Sequence, residues 1–352
     1  MNLFMKNKLR QTLKRAFFFV IYYFGVLNLF IIVQKRVNKR HCAAILFYHR
    51  FCSGPSDNYH LPYLDIREFR KQMLHIKKWY RVITMDELTK RLATKEGFSS
   101  PSIVITIDDG YLNNYTLAYP ILKALGLPAI IYLTTGLIGT NKAPWVDCLM
   151  NILSVTKAKF LCFPELLGGE VLDISMQAGK RAAVTKLFQL MLRIEHETKM
   201  RGMEKLPEVL AVKENSRNSG ERRMLNWDEV IEMKGNNISF GAHTITHPTL
   251  SKMDLEEAKR EIYESKMVIE ERVGRKVRHF AVPNGKEEDF TNELSEFCEE
   301  IGFDTIVTTE PGVVDSNTDR FCLKRVLPPP PLYYFACEIA RYFWSEKRSN
   351  VF

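Results

Sequence analysis

The chain has 352 residues, of which 46% are hydrophobic and 26% charged. That is enough to bury the core of one large domain or two small ones, and too apolar for a disordered chain, a collagen or a small disulfide scaffold. The net charge of +9 is local: nine Lys and Arg and no acidic residue lie in residues 1–41, and the remainder carries equal numbers of both signs. The basic balance therefore belongs to one short segment and does not mark nucleic-acid binding.

In chain order, the first element is apolar. Between Arg15 and Gln34 run eighteen residues, AFFFVIYYFGVLNLFIIV, with Asn28 the only strongly polar one. As one helix at ~1.5 Å per residue they span about 27 Å, just enough for a hydrocarbon core. Basic clusters flank both ends and no small-residue cleavage site follows. The segment reads as an uncleaved membrane anchor or a helix lying in the interface. The alternative is an apolar helix docked on the rest of the protein. Five positive charges precede it and four follow, so the positive-inside rule assigns no orientation.

Beyond it, β-rich runs at 44–48, 102–107, 129–134, 238–242, 277–282 and 305–308 alternate with helical patterns at 66–78, 85–92, 113–125, 227–233, 254–273 and 289–301. This alternation predicts an α/β fold with a parallel sheet, open or closed into a barrel. Two stretches break the rhythm. Residues 145–223 contain no good strand, have helical patterns near 147–155 and 177–196, and carry a charged run at 213–223; they read as a helical insertion. Four prolines at 328–331 precede LYYFACEIARYFW, which reads as a final packing helix. Three parts follow: residues 1–41, a barrel at 42–327, and a Pro-rich turn with a helix at 328–352. The seven cysteines form no CxxC pair, which argues against a disulfide framework or a structural zinc site and towards a reducing compartment.

Chemistry gathers where the expected strands end. Thr106-Ile107-Asp108-Asp109-Gly110 closes one strand with two carboxylates and a glycine. Asp-Gly after a strand is commonly a turn, but two adjacent carboxylates pointing different ways can divide metal binding from proton transfer. His243 and His247 lie four apart, with Pro248 biasing the second away from helical geometry, so the pair belongs on a loop. Two of only eight histidines at ligand spacing point to a metal. Phe280-Ala281-Val282-Pro283-Asn284-Gly285 ends another strand in a turn that can present a backbone N–H to an oxyanion. Phe47-Tyr48-His49-Arg50 ends the first. In a β/α barrel these ends share one face, where catalytic residues gather. One Asp and two His form an N/O ligand set with open positions that suits Zn²⁺, with Fe²⁺, Co²⁺ or Ni²⁺ as alternatives.

At these residues the sequence resembles the polysaccharide deacetylases, carbohydrate esterase family four, over residues 41–327. The resemblance lies in the order of motifs: YH, then T-[FI]-D-D-G, then H-[ST]-x-x-H, then F-x-x-P-x-G. It implies a distorted (β/α) barrel of the polysaccharide deacetylase type, here with a helical insertion and an N-terminal hydrophobic helix. It also implies metal-dependent hydrolysis of an N-acetyl or O-acetyl group on a sugar. By motif match Asp109, His243 and His247 would hold the metal, Zn²⁺ by donor type. Asp108 would be the general base, the Asn284 N–H an oxyanion donor, and His49 the acid or a sugar contact. Two departures stand out. Many members carry an Arg where Ala281 stands, for which Arg325 is the candidate substitute, and many carry a late His, whereas no His follows His279.

With the anchor, these features imply a cell-surface or lipid-linked glycan substrate and a membrane-associated protein of the bacterial inner membrane, on an undecided side. Two other classes share the motifs: an amidohydrolase acting on a small cyclic amide, and a glycan-binding protein without activity. The sequence assigns no oligomeric state.

Overall fold

The structure, a computed structural model, describes residues 3–37, 42–54, 63–213 and 223–344. Most of the charged run expected at 213–223 lies outside the described residues. Eight strands form the main sheet, labelled in chain order β1 (Ala43–Tyr48), β2 (Arg81–Val82), β3 (Ser102–Ile107), β4 (Ala129–Leu133), β5 (Ile238–Ala242), β6 (His279–Ala281), β7 (Thr305–Pro311) and β8 (Leu323–Arg325). All pairings are parallel, in the spatial order β1-β3-β4-β5-β6-β7-β8, with the short β2 beside β3. Past β8 the chain returns to β1. The Phe47 N–H donates to Val326 O at 3.2 Å, and the Val326 N–H donates to Ile45 O at 2.8 Å. The sheet thus nearly closes into a barrel, and the C-terminal ends of its strands share one rim.

Strands β1, β3 and β4 are buried along their whole length. This is expected of parallel strands with side chains filling one face and helices covering the other. The covering helices begin where polar side chains satisfy their first N–H groups: Asp65 for Ile66–Trp79, Thr84 for Met85–Ala93, Asp254 for Leu255–Val273 and Thr291 for Asn292–Glu300. Asn226 and Glu229 form a capping box on Trp227–Lys234. Two expected helices are divided. Residues 113–125 begin with a π-turn at Asn114–Ala118 before the α-helix Tyr119–Leu125, because Pro120 has no N–H to continue a regular ladder. In the expected helix at 289–301, Asp289 instead ends a 3₁₀ turn, Glu287–Asp289, and the helix starts only after Thr291.

Residues 145–223 need a correction, since an antiparallel pair, Phe160–Cys162 with Val171–Asp173, lies where no strand was expected. Each strand has three residues and outward-facing ends, too few to show a period of two. Around this hairpin pack Trp145–Val155, Gln177–Met191 and His196–Val209, with a core of their own built on Leu149, Leu153, Leu161, Leu187 and Leu206. Arg50 fastens this unit to the barrel. It is buried, pairs with Asp147, donates to the Tyr111 hydroxyl and lies over the Tyr111 ring at 4.1 Å.

The single N-terminal helix expected from the sequence is two helices, Leu3–Tyr23 and Val26–Val37, bent by 79°. The break falls at Gly25, which has a φ of +74°, a left-handed conformation that ends a helix and that glycine adopts without penalty. No single helix among the described residues is long and apolar enough to cross a membrane; the bent pair passes only together. One side of the pair is docked: Phe18, Leu27 and Ile31 pack on Ala336, Cys337 and Ala340 of the C-terminal helix Leu332–Trp344. Its other side leaves Phe17, Phe19, Val20 and Leu29 exposed.

At Gly241 in β5 a Cβ would sit 2.5 Å from the Tyr132 ring and 2.8 Å from His279 O. Gly241→Ala must therefore push strands apart. The expected cost is about 2 kcal/mol, read as a lowered urea midpoint. An unchanged midpoint would mean that β4, β5 and β6 can separate freely.

Candidate active site

Each candidate site residue expected from the sequence sits just beyond a strand end, and several hold backbone shapes that ordinary residues avoid. Asp109 follows β3 with φ +75°, Thr244 and His247 follow β5 with φ +64° and +62°, and Asn284 follows β6 with φ +62°. Positive φ costs a non-glycine residue roughly 1–3 kcal/mol and persists only where surrounding structure enforces it. Here the enforcing contacts are visible. Glu261, on Leu255–Val273, accepts from the Ile245 and Thr246 N–H groups at 2.7 and 2.9 Å and from the Thr246 hydroxyl at 2.7 Å. The His247 N–H donates to the Thr244 hydroxyl at 3.1 Å. The Asn284 side chain donates to the Thr249 hydroxyl at 3.1 Å, and its carbonyl accepts from the Thr309 hydroxyl at 2.6 Å.

These turns bring three ligand-type groups together. The His243 and His247 Nε2 atoms lie 3.4 and 3.5 Å from one Asp109 oxygen, and the three donor atoms are all within 4.8 Å of one another. His243 Nδ1 is engaged with Ala281 O at 2.7 Å, which orients the ring and turns Nε2 towards Asp109. Outer-shell partners of this kind orient metal-binding imidazoles. Burial acts to raise the Asp109 pKa, but the His243 contact and the two other nearby imidazoles hold it well below the usual carboxylate range. Burial dominates at His247 and lowers its pKa to about 4, so that ring is neutral with a lone pair available. One oxygen and two nitrogen donors at this spacing fit a divalent first-row cation.

Asp108 turns the other way and is fully buried. The Arg325 guanidinium reaches it from β8: Nη1 donates to Oδ1 at 2.8 Å, and Nη2 lies 2.8 Å from Oδ2. Arg325 is itself held by Thr308 O at 2.7 Å and lies over the Phe47 ring at 4.7 Å. Burial acts to raise the Asp108 pKa, but Arg325, with His49 and His243 adding to it, brings it below the ordinary value. His49 Nε2 is 3.8 Å from Asp108 Oδ2, and its side chain is 39% exposed. Among the described residues no acceptor is paired with the Asn284 N–H.

The structure brings all six sequence-expected site residues to one cavity of about 1110 Å³, lined by His49, Asp108, Asp109, His243, His247 and Asn284. The insertion contributes Val146, Phe188, Leu192 and Arg193 to the same cavity. Glu261 escaped the sequence reading. Its signal is an acidic residue on the buried stripe of Ala258, Ile262, Ser265 and Ile269.

The chain is similar to known proteins at two levels. The family model for polysaccharide deacetylase matches residues 95–305. A Bacillus subtilis (strain 168) protein, YxkH, which carries a polysaccharide deacetylase name, is 22% identical over 291 residues, 81% of this chain and 71% of its own. Among solved structures, the Streptococcus pyogenes deacetylase PplD in complex with acetate superposes with a TM-score of 0.58 at 17% identity, over 87% of this chain and 100% of that one. IcaB from Ammonifex degensii gives 0.55 at 18%, over 86% and 97%. The polysaccharide deacetylase BC0361 from Bacillus cereus gives 0.53 at 17%, over 85% and 69%. These structures share the fold.

Glu261→Ala leaves the Ile245 and Thr246 N–H groups without their acceptor. The expected loss is about 2 kcal/mol, with faster hydrogen exchange at those two amides while the exchange of β3 is unchanged. Equal protection in the variant would show that the histidine loop holds its shape without Glu261.

Proposed function

The chain belongs to the polysaccharide deacetylase family and is a deacetylase, and from that premise we propose that it removes acetyl groups from N-acetylated or O-acetylated sugars of a cell-surface or lipid-linked glycan. The observation that carries the reading is the convergence of Asp109, His243 and His247 beside a separately held, buried Asp108. In this reading the first three hold a divalent metal, with Zn²⁺ favoured by the donor set. The barrel at 42–327, with its insertion, is the catalytic part.

A bound cation of this kind polarises the acetyl carbonyl and lowers the pKa of water. The protein's own groups do the rest. Asp108 takes a proton from the attacking water, and Arg325 keeps it ionised for that task and fixes its direction. The Asn284 N–H donates to the oxyanion as it develops on the acetyl oxygen. His49, within reach of Asp108 and open to solvent, gives a proton to the leaving nitrogen, or to oxygen in an ester, as the acyl bond breaks. Arg325 supplies from β8 the cation that other members place at the position of Ala281, which favours activity over a silent binding protein.

The reading also makes the protein membrane-associated. The N-terminal helix pair shows an apolar outer side, and residues 1–41 carry basic residues without acidic ones. A bend of 79° favours lying in the interface over spanning.

Asp108→Asn is expected to lower acetate release from N-acetylated glycans by about 10²–10⁴-fold with metal still bound. His243→Ala is expected to lose the metal, measured by elemental analysis of the purified full chain. Near-normal turnover in the first, or stoichiometric metal in the second, sinks the corresponding role. Arg325→Met removes the cation that holds the Asp108 pKa down. The base is then protonated at higher pH, and the acid limb of kcat/KM moves to higher pH; an unmoved limb would separate Arg325 from the base.

A further inference from the structure

The deacetylase reading leaves open what the sugar carries, and the following inference rests on that reading. The cavity, about 1110 Å³, lies just above the roughly 300–1,000 Å³ range that holds whole drug-sized ligands, and one acetylated sugar does not fill it. The strand ends supply its carboxylates and imidazoles, with Phe47 and Val282 beside them. The insertion and the segment after β8 add Val146, Phe188, Leu192 and Leu327, next to the polar Gln189 and Arg193. Phe188 and Leu192 lie one turn apart, and the Phe188 ring is committed to stacking on Trp145 at 5.6 Å. Leu327 stands 56% exposed. Valine and leucine have neither a hydrogen bond nor an aromatic face to give a sugar; the group they desolvate well is hydrocarbon.

The apolar character also continues outward. Tyr342 lines the cavity from the C-terminal helix Leu332–Trp344. Another face of that helix carries the N-terminal pair, and its Trp344 packs on Phe30 with ring centres 4.8 Å apart. One helix therefore touches both the cavity and the elements that expose Phe17, Phe19, Val20 and Leu29. We propose that the substrate is amphiphilic: an acetylated sugar whose aglycone is a hydrocarbon chain, with the chain resting on Val146, Phe188, Leu192 and Leu327. The sugar reaches the catalytic rim while its tail stays on an apolar path. The insertion is then the element that selects a glycolipid over a free oligosaccharide.

The experiment uses the full chain and N-acetylglucosamine β-glycosides with methyl, butyl and octyl aglycones below their micellar concentrations. Binding is followed by calorimetric titration and turnover by acetate release. From methyl to octyl, Kd is expected to fall and kcat/KM to rise at least tenfold. The Phe188→Ser, Leu192→Ser double variant is expected to lose that gradient. Leu327→Ser, at an exposed position, is expected to lose part of it. A flat series, or a gradient that survives in both variants, overturns the inference. Faster cleavage of an N-octanoyl than an N-acetyl methyl glycoside also overturns it, by assigning the wall to the acyl group. A binding gradient without acetate release from any glycoside supports the inference and removes N-acetylglucosamine as the sugar that is deacetylated. Acetate release without a gradient removes the inference alone.

Discussion

A buried carboxylate stays ionised only where partners offset its lost hydration, and Asp108 is buried. Its cation, Arg325, comes from the last strand of the main sheet, more than two hundred residues along the chain, and lies between Thr308 of β7 and the ring of Phe47 on β1. Burying either charge alone would be strongly unfavourable. The pair therefore couples the closure of the barrel to the ionisation of Asp108. With β8 against β1, Asp108 is ionised and aimed. Without that closure Arg325 is out of reach, and burial favours the protonated acid. β6 carries Ala281 where the family resemblance leads one to expect an Arg, and the cation beside Asp108 is Arg325 of β8.

The rest of the site depends on turns that would not hold by themselves. Asp109, Thr244, His247 and Asn284 all adopt positive φ without being glycine. Four such residues at one rim store several unfavourable local conformations, and the surrounding hydrogen bonds keep them. Glu261 does most for the histidine loop, and Thr249 and Thr309 hold the turn at Asn284. The gain is direction: Asp108 and Asp109 are neighbours in sequence, yet one faces Arg325 and the other faces two imidazoles.

The insertion and the termini add a second kind of surface. The insertion has its own core and is fastened to the barrel by the buried Arg50–Asp147 pair, so its apolar side chains stand at a defined place in the cavity lining. The N-terminal pair and the C-terminal helix cover one another on one side only. A polar rim of candidate site residues and an exposed apolar surface thus share one molecule.

By itself the sequence determined the alternating architecture and the six residues at the rim. Long periodic helices, buried parallel strands and turn-forming Asp, Pro and Gly are encoded locally, within windows shorter than one element. The motifs also fall at strand ends, where a parallel fold collects them on one face. What only the tertiary structure decided is non-local or brief. Arg325 as partner of Asp108 depends on barrel closure, and Glu261 as clamp of the histidine loop depends on how one helix packs. The hairpin at 160–173 has strands too short to show a period. The apolar N-terminal run looked like one span, since hydropathy counts residues and not dihedral angles; the turn at Gly25 and the packing of Phe18, Leu27 and Ile31 on the C-terminal helix made it two helices.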